Sequence, residues 1–177
     1  SYAIDKQILL INAESESEIK EIERIAKLKK KKIKIGIRLN PNTDARTLTQ
    51  ISTGKKENKF GVDKKTFFKL VKYCKKSNHL KLSCLSVHIG SQILNHKPYE
   101  KMLNVIDKII NFVDHEFEFV DLGGGMGISY LNKDKKLNYI KYNHAIKKFL
   151  KKHKSKIIFE PGRSIIGNTG TLISKVV

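Results

Sequence analysis

Short apolar runs alternate along the chain with stretches whose apolar residues recur every three or four positions. The short runs predict buried strands at residues 8–11, 33–39, 82–89, 117–122 and 157–159, and a further strand at residues 170–177. The periodic stretches predict helices at residues 16–30, 64–76, 99–114 and 137–152, the first opened by a capping box of Ser15 and Glu18. Strict alternation of strand and helix indicates a parallel sheet with helical crossovers.

This α/β pattern is compatible with two closures of the sheet, a doubly wound open sheet or a (β/α)8 TIM barrel. A complete barrel takes roughly 250 residues, whereas the 177 residues of this chain supply about five strands. The sequence has no internal repeat and no linker rich in proline, glycine or serine. Residues 1–177 are therefore predicted to form one domain.

Positive charge is the main compositional bias, since 36 Lys and Arg side chains against 17 Asp and Glu give a net charge of +19. Such a balance can indicate a nucleic-acid or anionic-membrane partner. Most of these cations are lysines on the predicted helices, and arginine, which binds phosphates through two hydrogen bonds, occupies only four positions. We interpret the charge as a solvated lysine-rich surface and expect no specific nucleic-acid partner, with weak nonspecific polyanion binding as the alternative.

The sequence also argues against a membrane partner and a metal. No apolar run approaches the ~18–20 residues of a membrane span. Cys74 and Cys84 have no metal-ligand spacing, and we expect two free thiols in a reducing, cytoplasmic environment.

Polar residues and glycines collect after the predicted strands. His88 and Ser91 follow the third strand, a glycine turn at residues 123–125 follows the fourth, and Glu160 and Arg163 follow the fifth. Sites in parallel α/β folds are built at this end of the strands. The glycine turn allows backbone N–H groups to approach an anion, but it has neither the P-loop sequence nor the dinucleotide spacing. Taken separately, a tight turn, a surface ion pair and a core histidine are the structural alternatives.

Together, five segments of the chain resemble diaminopimelate decarboxylases, in the order that this family has them. The segments are IRLNP at 37–41, STGKKENKFG at 52–61, HIGSQ at 88–92, DLGGG at 121–125 and EPGRSI at 160–165. The family uses pyridoxal 5'-phosphate and has the alanine-racemase-like barrel of fold type III. The resemblance extends over essentially all of the chain and implies an incomplete barrel.

The resemblance implies a role for each strand-end motif. His88 would stack on the pyridine ring, and Ser91 would bind the phosphate. Gly123, Gly124 and Gly125 would form the phosphate turn, with Gly125 the closest to the anion.

The other implied cofactor residues lie on two strands. Glu160 would pair with the protonated ring nitrogen, since opposite charges favour both ionised forms. Pro161 belongs to the same segment, and Gly162 and Arg163 would bind the phosphate, with Arg163 also reaching the substrate carboxylate. Arg38 would lie under the cofactor near its ring hydroxyl. The chain departs from the family in having a serine, residue 86, where a second histidine is common.

Segments that carry the family's reaction are not found in the chain. The Schiff-base lysine is expected in a Tyr-Ala-x-Lys-Ala-Asn segment, which the residues from Tyr2 to Lys6 do not match, and the partner subunit's Cys-Glu-Ser segment has no counterpart. We therefore expect no catalytic residue in this chain. The resemblance predicts that the chain corresponds to about strands 4–8, without the N-terminal strands and the C-terminal β domain, and is inactive alone.

The implied reaction is the decarboxylation of meso-2,6-diaminopimelate to L-lysine by a cytoplasmic homodimer. Another fold-type III decarboxylase, acting on ornithine, arginine or carboxynorspermidine, is the enzymatic alternative. A noncatalytic phosphate- or polyanion-binding module is the alternative from another class.

Overall fold

The computed structural model describes residues 1–42, 60–130, 136–171 and 173–175. Within these ranges, five strands form one parallel sheet in the order β1-β2-β3-β4-β5. The strands are β1 Ile11–Ala13, β2 Ile33–Arg38, β3 Leu80–Ser86, β4 Phe119–Asp121 and β5 Lys156–Ile158. The helices are α1 Tyr2–Asp5, α2 Glu16–Leu28, α3 Lys64–Lys76, α4 Lys97–Val113, α5 Tyr139–Leu150 and α6 Arg163–Ile166.

The strand order distinguishes between the two closures. A doubly wound sheet reverses its strand order at a switch point, whereas successive strands of a (β/α)8 barrel stay adjacent. Here every strand pairs with its neighbour in the sequence, and β1 and β5 are the outer strands. The α/β prediction is confirmed, and the order is that of a barrel arc. Two statements remain predictions: that this arc corresponds to about strands 4–8 of the barrel, and that residues 1–177 form one domain.

The hydrophobic core lies between the sheet and its outer helices. Met102, Ile106 and Ile109 recur at helical spacing on α4 and are at most 2% exposed. They share one core cluster with Leu85 and Val120, which point outward from β3 and β4. Because burying one such side chain contributes about 1.5–3 kcal/mol, the helices fix the sheet from its outer face.

Side chains cap the first turns of α2 and α3, and the first of these caps was predicted. Ser15 accepts a hydrogen bond from the Glu18 N–H at 3.2 Å, which confirms the predicted start of α2. Asp63 accepts hydrogen bonds from the N–H groups of Lys65 and Thr66 at 2.8 and 3.0 Å and opens α3. Each cap satisfies donors that the first helical turn leaves without an internal partner.

The face of the sheet opposite the helices carries polar residues near its carboxyl end. Asn12 on β1 pairs with Gly36 on β2, and Ser86 on β3 pairs with Asp121 on β4. A Cβ at Gly36 would overlap the Asn12 side chain. The glycine therefore allows Asn12 to cross β2 and donate to Asp121 at 2.8 Å.

The terminal elements differ from their predictions. The strand predicted at residues 8–11 is displaced, because Ile8 and Leu9 are 50% and 58% exposed and β1 begins at Ile11. The prediction followed the apolar run, whereas the strand itself includes a polar residue that faces the sheet's open side. The strand predicted at 170–177 is not found in its described residues, 170, 171 and 173–175. Helices α1 and α6 were not predicted, since four residues carry no readable periodicity.

None of the described helices is both long and apolar enough to traverse a bilayer. The same residues contain no group of three His, Cys, Asp or Glu side chains that could hold a metal ion. Cys74 and Cys84 are free, and burial raises the pKa of each thiol to about 12. Neither thiol is therefore a nucleophile at neutral pH.

Candidate functional site

A cavity of 420 Å³ lies at the carboxyl ends of the strands. It receives side chains from β1, β2 and β3, from the segments that follow them, and from the segment that follows β5. Its lining residues are Asn12, Glu14, Arg38, Phe60, Ser86, His88 and Glu160. The structure thus brings Arg38, His88 and Glu160, predicted from three separate motifs, into one cavity.

The glycine turn lies directly beside this cavity. Gly123 and Gly125 have φ angles of +65° and +84°, a region that side chains disfavour. A Cβ on Gly125 would overlap the Gly90 carbonyl oxygen, and a Cβ on Gly123 would lie 2.6 Å from the His88 ring. These two positions require glycine because the turn is packed against the loop that follows β3.

Two further contacts fasten the turn to its surroundings. Ile93 N–H donates to the Gly125 carbonyl at 2.9 Å, which pairs the turn with the loop that contains Ser91. Tyr99, fully buried on α4, donates its hydroxyl to the Gly124 carbonyl at 3.2 Å. No described residue accepts a hydrogen bond from the Gly125 N–H. That amide can therefore serve an anion.

His88 presents a neutral imidazole to the cavity. Its Nδ1 accepts a hydrogen bond from the Gly124 N–H at 3.2 Å, so this nitrogen carries no proton. Burial, together with the positive charge of Arg38, lowers the pKa of His88. A neutral ring is suited to lie against another aromatic ring.

Glu160 is an acidic residue of the cavity whose pKa is raised. Its N–H donates to the Gly123 carbonyl at 2.9 Å, which places it next to the glycine turn. The residue is exposed, but partial burial of its carboxyl group raises the pKa of Glu160, the negative charge of Asp121 raises it further, and Arg38 opposes the shift. The upward shift favours a proton on Glu160.

Arg38 is held on both sides. Its Nη1 donates to Glu14 Oε1 at 2.6 Å, and its guanidinium lies 5.3 Å from the centroid of the Phe60 ring. The side chain of Arg38 is 18% exposed, so this cation faces the cavity with little solvent around it.

The segment at residues 160–163 is only partly directed into the cavity. Pro161 Cα would lie 3.8 Å from a Cβ on Gly124, which places the proline against the glycine turn. Gly162 precedes α6 and has open space around it. Arg163 Nη1 donates to the Tyr130 hydroxyl at 3.0 Å and is not a lining residue of the cavity. Its predicted contacts with phosphate and substrate remain predictions.

Sequence reasoning missed several residues of this site. Asn12, Glu14 and Ser86 line the cavity, and Asp121 accepts hydrogen bonds behind it, but none of them was assigned a role. Their position at strand ends was the available signal. The STGKKENKFG segment lies outside the described residues except for Phe60 and Gly61.

A neutral imidazole, an acid with a raised pKa and a glycine turn thus meet at the strand ends of a barrel arc. The model of the family "Pyridoxal-dependent decarboxylase, pyridoxal binding domain" matches residues 1–167. The chain belongs to this family.

Several similar proteins are diaminopimelate decarboxylases. A diaminopimelate decarboxylase of Aquifex aeolicus is 38% identical over 98% of this chain, and one of Helicobacter pylori strain J99 is 40% identical over 99%. The crystal structure of diaminopimelate decarboxylase from Helicobacter pylori complexed with L-lysine has a TM-score of 0.87 and 40% identity over 93% of this chain. The chain spans 42–44% of the length of these proteins.

Proposed function

We propose that this chain is part of a diaminopimelate decarboxylase and binds pyridoxal 5'-phosphate in the cavity at its strand ends. The observation that carries the proposal is the convergence of Arg38, His88 and Glu160 in one cavity beside the glycine turn. The likeness to named diaminopimelate decarboxylases over nearly the whole chain supports the substrate.

The residues present fit the chemical groups of this cofactor. Glu160 has a raised pKa and can supply a proton to a ring nitrogen, leaving a carboxylate beside a pyridinium. His88 offers a neutral ring for stacking. The Gly125 N–H, with Ser91 and Gly162, would hold the phosphate.

When bound, the cofactor supplies a sink for the electron pair that remains on the substrate as CO2 departs. Glu160 would keep the ring nitrogen protonated and so keep the sink effective. Arg38, fixed by Glu14, would lie near the ring hydroxyl. Arg163 would contact the phosphate and the substrate carboxylate.

The full reaction is proposed for the protein that the complete gene encodes. Its substrate would be meso-2,6-diaminopimelate, its products L-lysine and CO2, and its working form a cytoplasmic homodimer. The dimer and the location rest on the resemblance alone.

The test is an assay of that full-length protein with added pyridoxal 5'-phosphate. We expect L-lysine and CO2 to form in equal amounts from meso-diaminopimelate, and little CO2 from ornithine or arginine. A preference for ornithine or arginine would overturn the proposed substrate but leave the proposed cofactor in place. Failure to bind the cofactor would overturn the proposal as a whole.

A further inference from the structure

Asp121 lies at the centre of the site without lining its cavity. Its side chain is on β4, and the residue is 1% exposed. Three donors from three directions converge on its carboxylate: Gly123 N–H at 2.9 Å, Asn12 Nδ2 at 2.8 Å and Ser86 Oγ at 3.4 Å. The carboxylate is thus linked at once to the glycine turn, to β1 and to β3.

The contact with Asn12 has a structural cost that points to function. Asn12 must direct its Nδ2 at Asp121, because a carboxylate can only accept. Its Oδ1 is then buried with no hydrogen-bond partner among the described residues. An unsatisfied buried oxygen destabilises a fold. A contribution to fold stability therefore does not account for Asn12 at this position, whereas a role as the donor that holds Asp121 does.

The charged groups around Asp121 come from every element packed against it. Glu160 follows β5, and its N–H bond to the Gly123 carbonyl places it beside the turn that Asp121 holds. Partial burial of its carboxyl group and then the negative charge of Asp121 raise the pKa of Glu160. Arg38 from β2 acts in the opposite direction, and Glu14 after β1 engages Arg38. The neutral His88 lies on the turn side. Asp121 is thus the group whose negative charge favours a proton on Glu160.

We propose that Asp121 is a positioning residue, which holds the glycine turn through Gly123 and, through that turn, holds Glu160 where the cofactor's ring nitrogen would lie. This inference rests on the proposed function and deepens it. With the cofactor bound, Glu160 would hold a proton at the ring nitrogen, and the carboxylate of Asp121 behind the glycine turn would add a second negative charge on that side of the ring.

The experiment begins with the full-length protein free of cofactor, with ¹³C-labelled glutamate side chains. The titration of Glu160 is followed by NMR and assigned with Glu160→Gln. We expect Glu160 to titrate above the ordinary range of a carboxyl group. Asp121→Asn should move this titration down, whereas Asn12→Ala, which removes a donor from Asp121, should move it up. The matched control is Asp107→Asn, on the face of α4 that contacts the end of α5. It should leave the titration of Glu160 unchanged.

Opposite shifts from two neighbouring variants are a signature that general structural damage does not produce. No shift in either variant, or a shift of both in one direction, would overturn the proposal. Where Asp121→Asn fails to fold, Asn12→Ala decides alone: an upward shift supports the proposal and an unchanged titration contradicts it.

A second readout is the dissociation constant of pyridoxal 5'-phosphate, measured by fluorescence at pH 8. Asp121→Asn should weaken binding roughly tenfold to a hundredfold, as expected for a hydrogen bond to a charged group, and an unchanged constant would contradict the positioning role. A wild-type protein that binds no cofactor would instead remove the proposed function, and with it the cofactor part of this inference. The titration would still show whether the charge of Asp121 raises the pKa of Glu160.

Discussion

The two ends of the sheet differ in how their polar groups are satisfied. The larger cavity, of 660 Å³, lies at the amino end, around the starts of β3, β4 and β5. There His115 Nε2 bonds to the Leu82 carbonyl at 3.0 Å, and Ser155 donates to the Phe117 carbonyl at 2.6 Å. The smaller cavity, of 420 Å³, lies at the carboxyl end, with Glu160 in its lining and the positive-φ glycines beside it.

Cavity size is therefore a poor guide to function in this molecule. At the amino end, histidine and serine side chains are matched to backbone partners, which stabilises the fold. At the carboxyl end, partial burial and the charge of Asp121 raise the pKa of Glu160, and the Gly125 N–H has no acceptor among the described residues. Active sites of (β/α)8 barrels occur at this end, whereas the other end serves stability.

The largest expected effect comes from Gly125→Ala. The added Cβ would overlap the Gly90 carbonyl oxygen at a φ of +84°, so the turn would have to move away from the loop that carries Ser91. Strain and overpacking together should cost about 3–5 kcal/mol in the free energy of unfolding, and cofactor binding should be lost. Denaturant melts and cofactor titration of the full-length protein measure both.

Gly170→Ala is the matched control for this change. A Cβ at Gly170 would meet no atom within 4 Å, and its φ is not in the left-handed region. We expect unchanged cofactor binding and a change in stability below about 0.5 kcal/mol, typical of a surface substitution. Equal effects of the two substitutions would contradict the special role of the turn.

The next effect concerns the charge balance of the carboxyl end. Arg38→Gln removes the cation that opposes the upward pKa shift of Glu160 and adds to the downward shift of His88. Both pKa values should therefore rise, and cofactor affinity should fall roughly tenfold. Side-chain NMR titration of the cofactor-free protein checks the first result.

The control for this variant is Arg24→Gln on α2. Arg24 pairs with Glu21 on an exposed helix face, with 61% of its side chain accessible. It should change neither titration nor affinity. Equal shifts from Arg24→Gln would mean that net charge, rather than the position of Arg38, controls the site.

The features that were predicted from the sequence are those encoded by residues close to one another in the chain. Helix α3 was predicted with its observed bounds, because its apolar period is a local signal. Arg38, His88 and Glu160 were predicted to meet because parallel strands align their carboxyl ends. Asp121 was not assigned a role, because its contact with Asn12 joins residues 109 positions apart. This contact also depends on residue 36 being a glycine, which leaves room for the Asn12 side chain.

At the amino end, Asp107→Asn should reduce stability and leave cofactor binding unchanged. Burial acts to raise the pKa of Asp107, but hydrogen bonds from Lys152 and His153 outweigh it and lower the pKa. Both bonds are 2.7 Å long and join α4 to the end of α5. We expect a loss of about 1–2 kcal/mol at pH 7.

The pH dependence of this loss has a definite sign. A lowered folded-state pKa stabilises the protein above the ordinary aspartate pKa of about 3.9 and ceases to do so as the pH falls through the folded value. The difference between wild type and Asp107→Asn should therefore be constant near neutrality and shrink below about pH 4. A difference that grows on acidification would contradict this assignment.

The smallest effect tests the link between the core and the carboxyl end with a pair of tyrosines. Tyr99 and Tyr142 are stacked, with ring centroids 4.3 Å apart, and both are buried. Tyr99 donates its hydroxyl to the Gly124 carbonyl, whereas the Tyr142 hydroxyl has no partner among the described residues. Tyr99→Phe should lower stability by about 1 kcal/mol and weaken cofactor binding severalfold, because the glycine turn loses its anchor.

Tyr142→Phe makes the same chemical change at the neighbouring ring and should have the opposite sign. It removes an unsatisfied buried hydroxyl, so stability should stay equal or rise by up to about 1 kcal/mol, with cofactor affinity unchanged. Paired denaturant melts and cofactor titrations distinguish the two variants. Equal destabilisation by both substitutions, with no change in cofactor binding, would contradict the anchoring role of the Tyr99 hydroxyl. The glycine turn would then be held by its contact with the loop that contains Ser91.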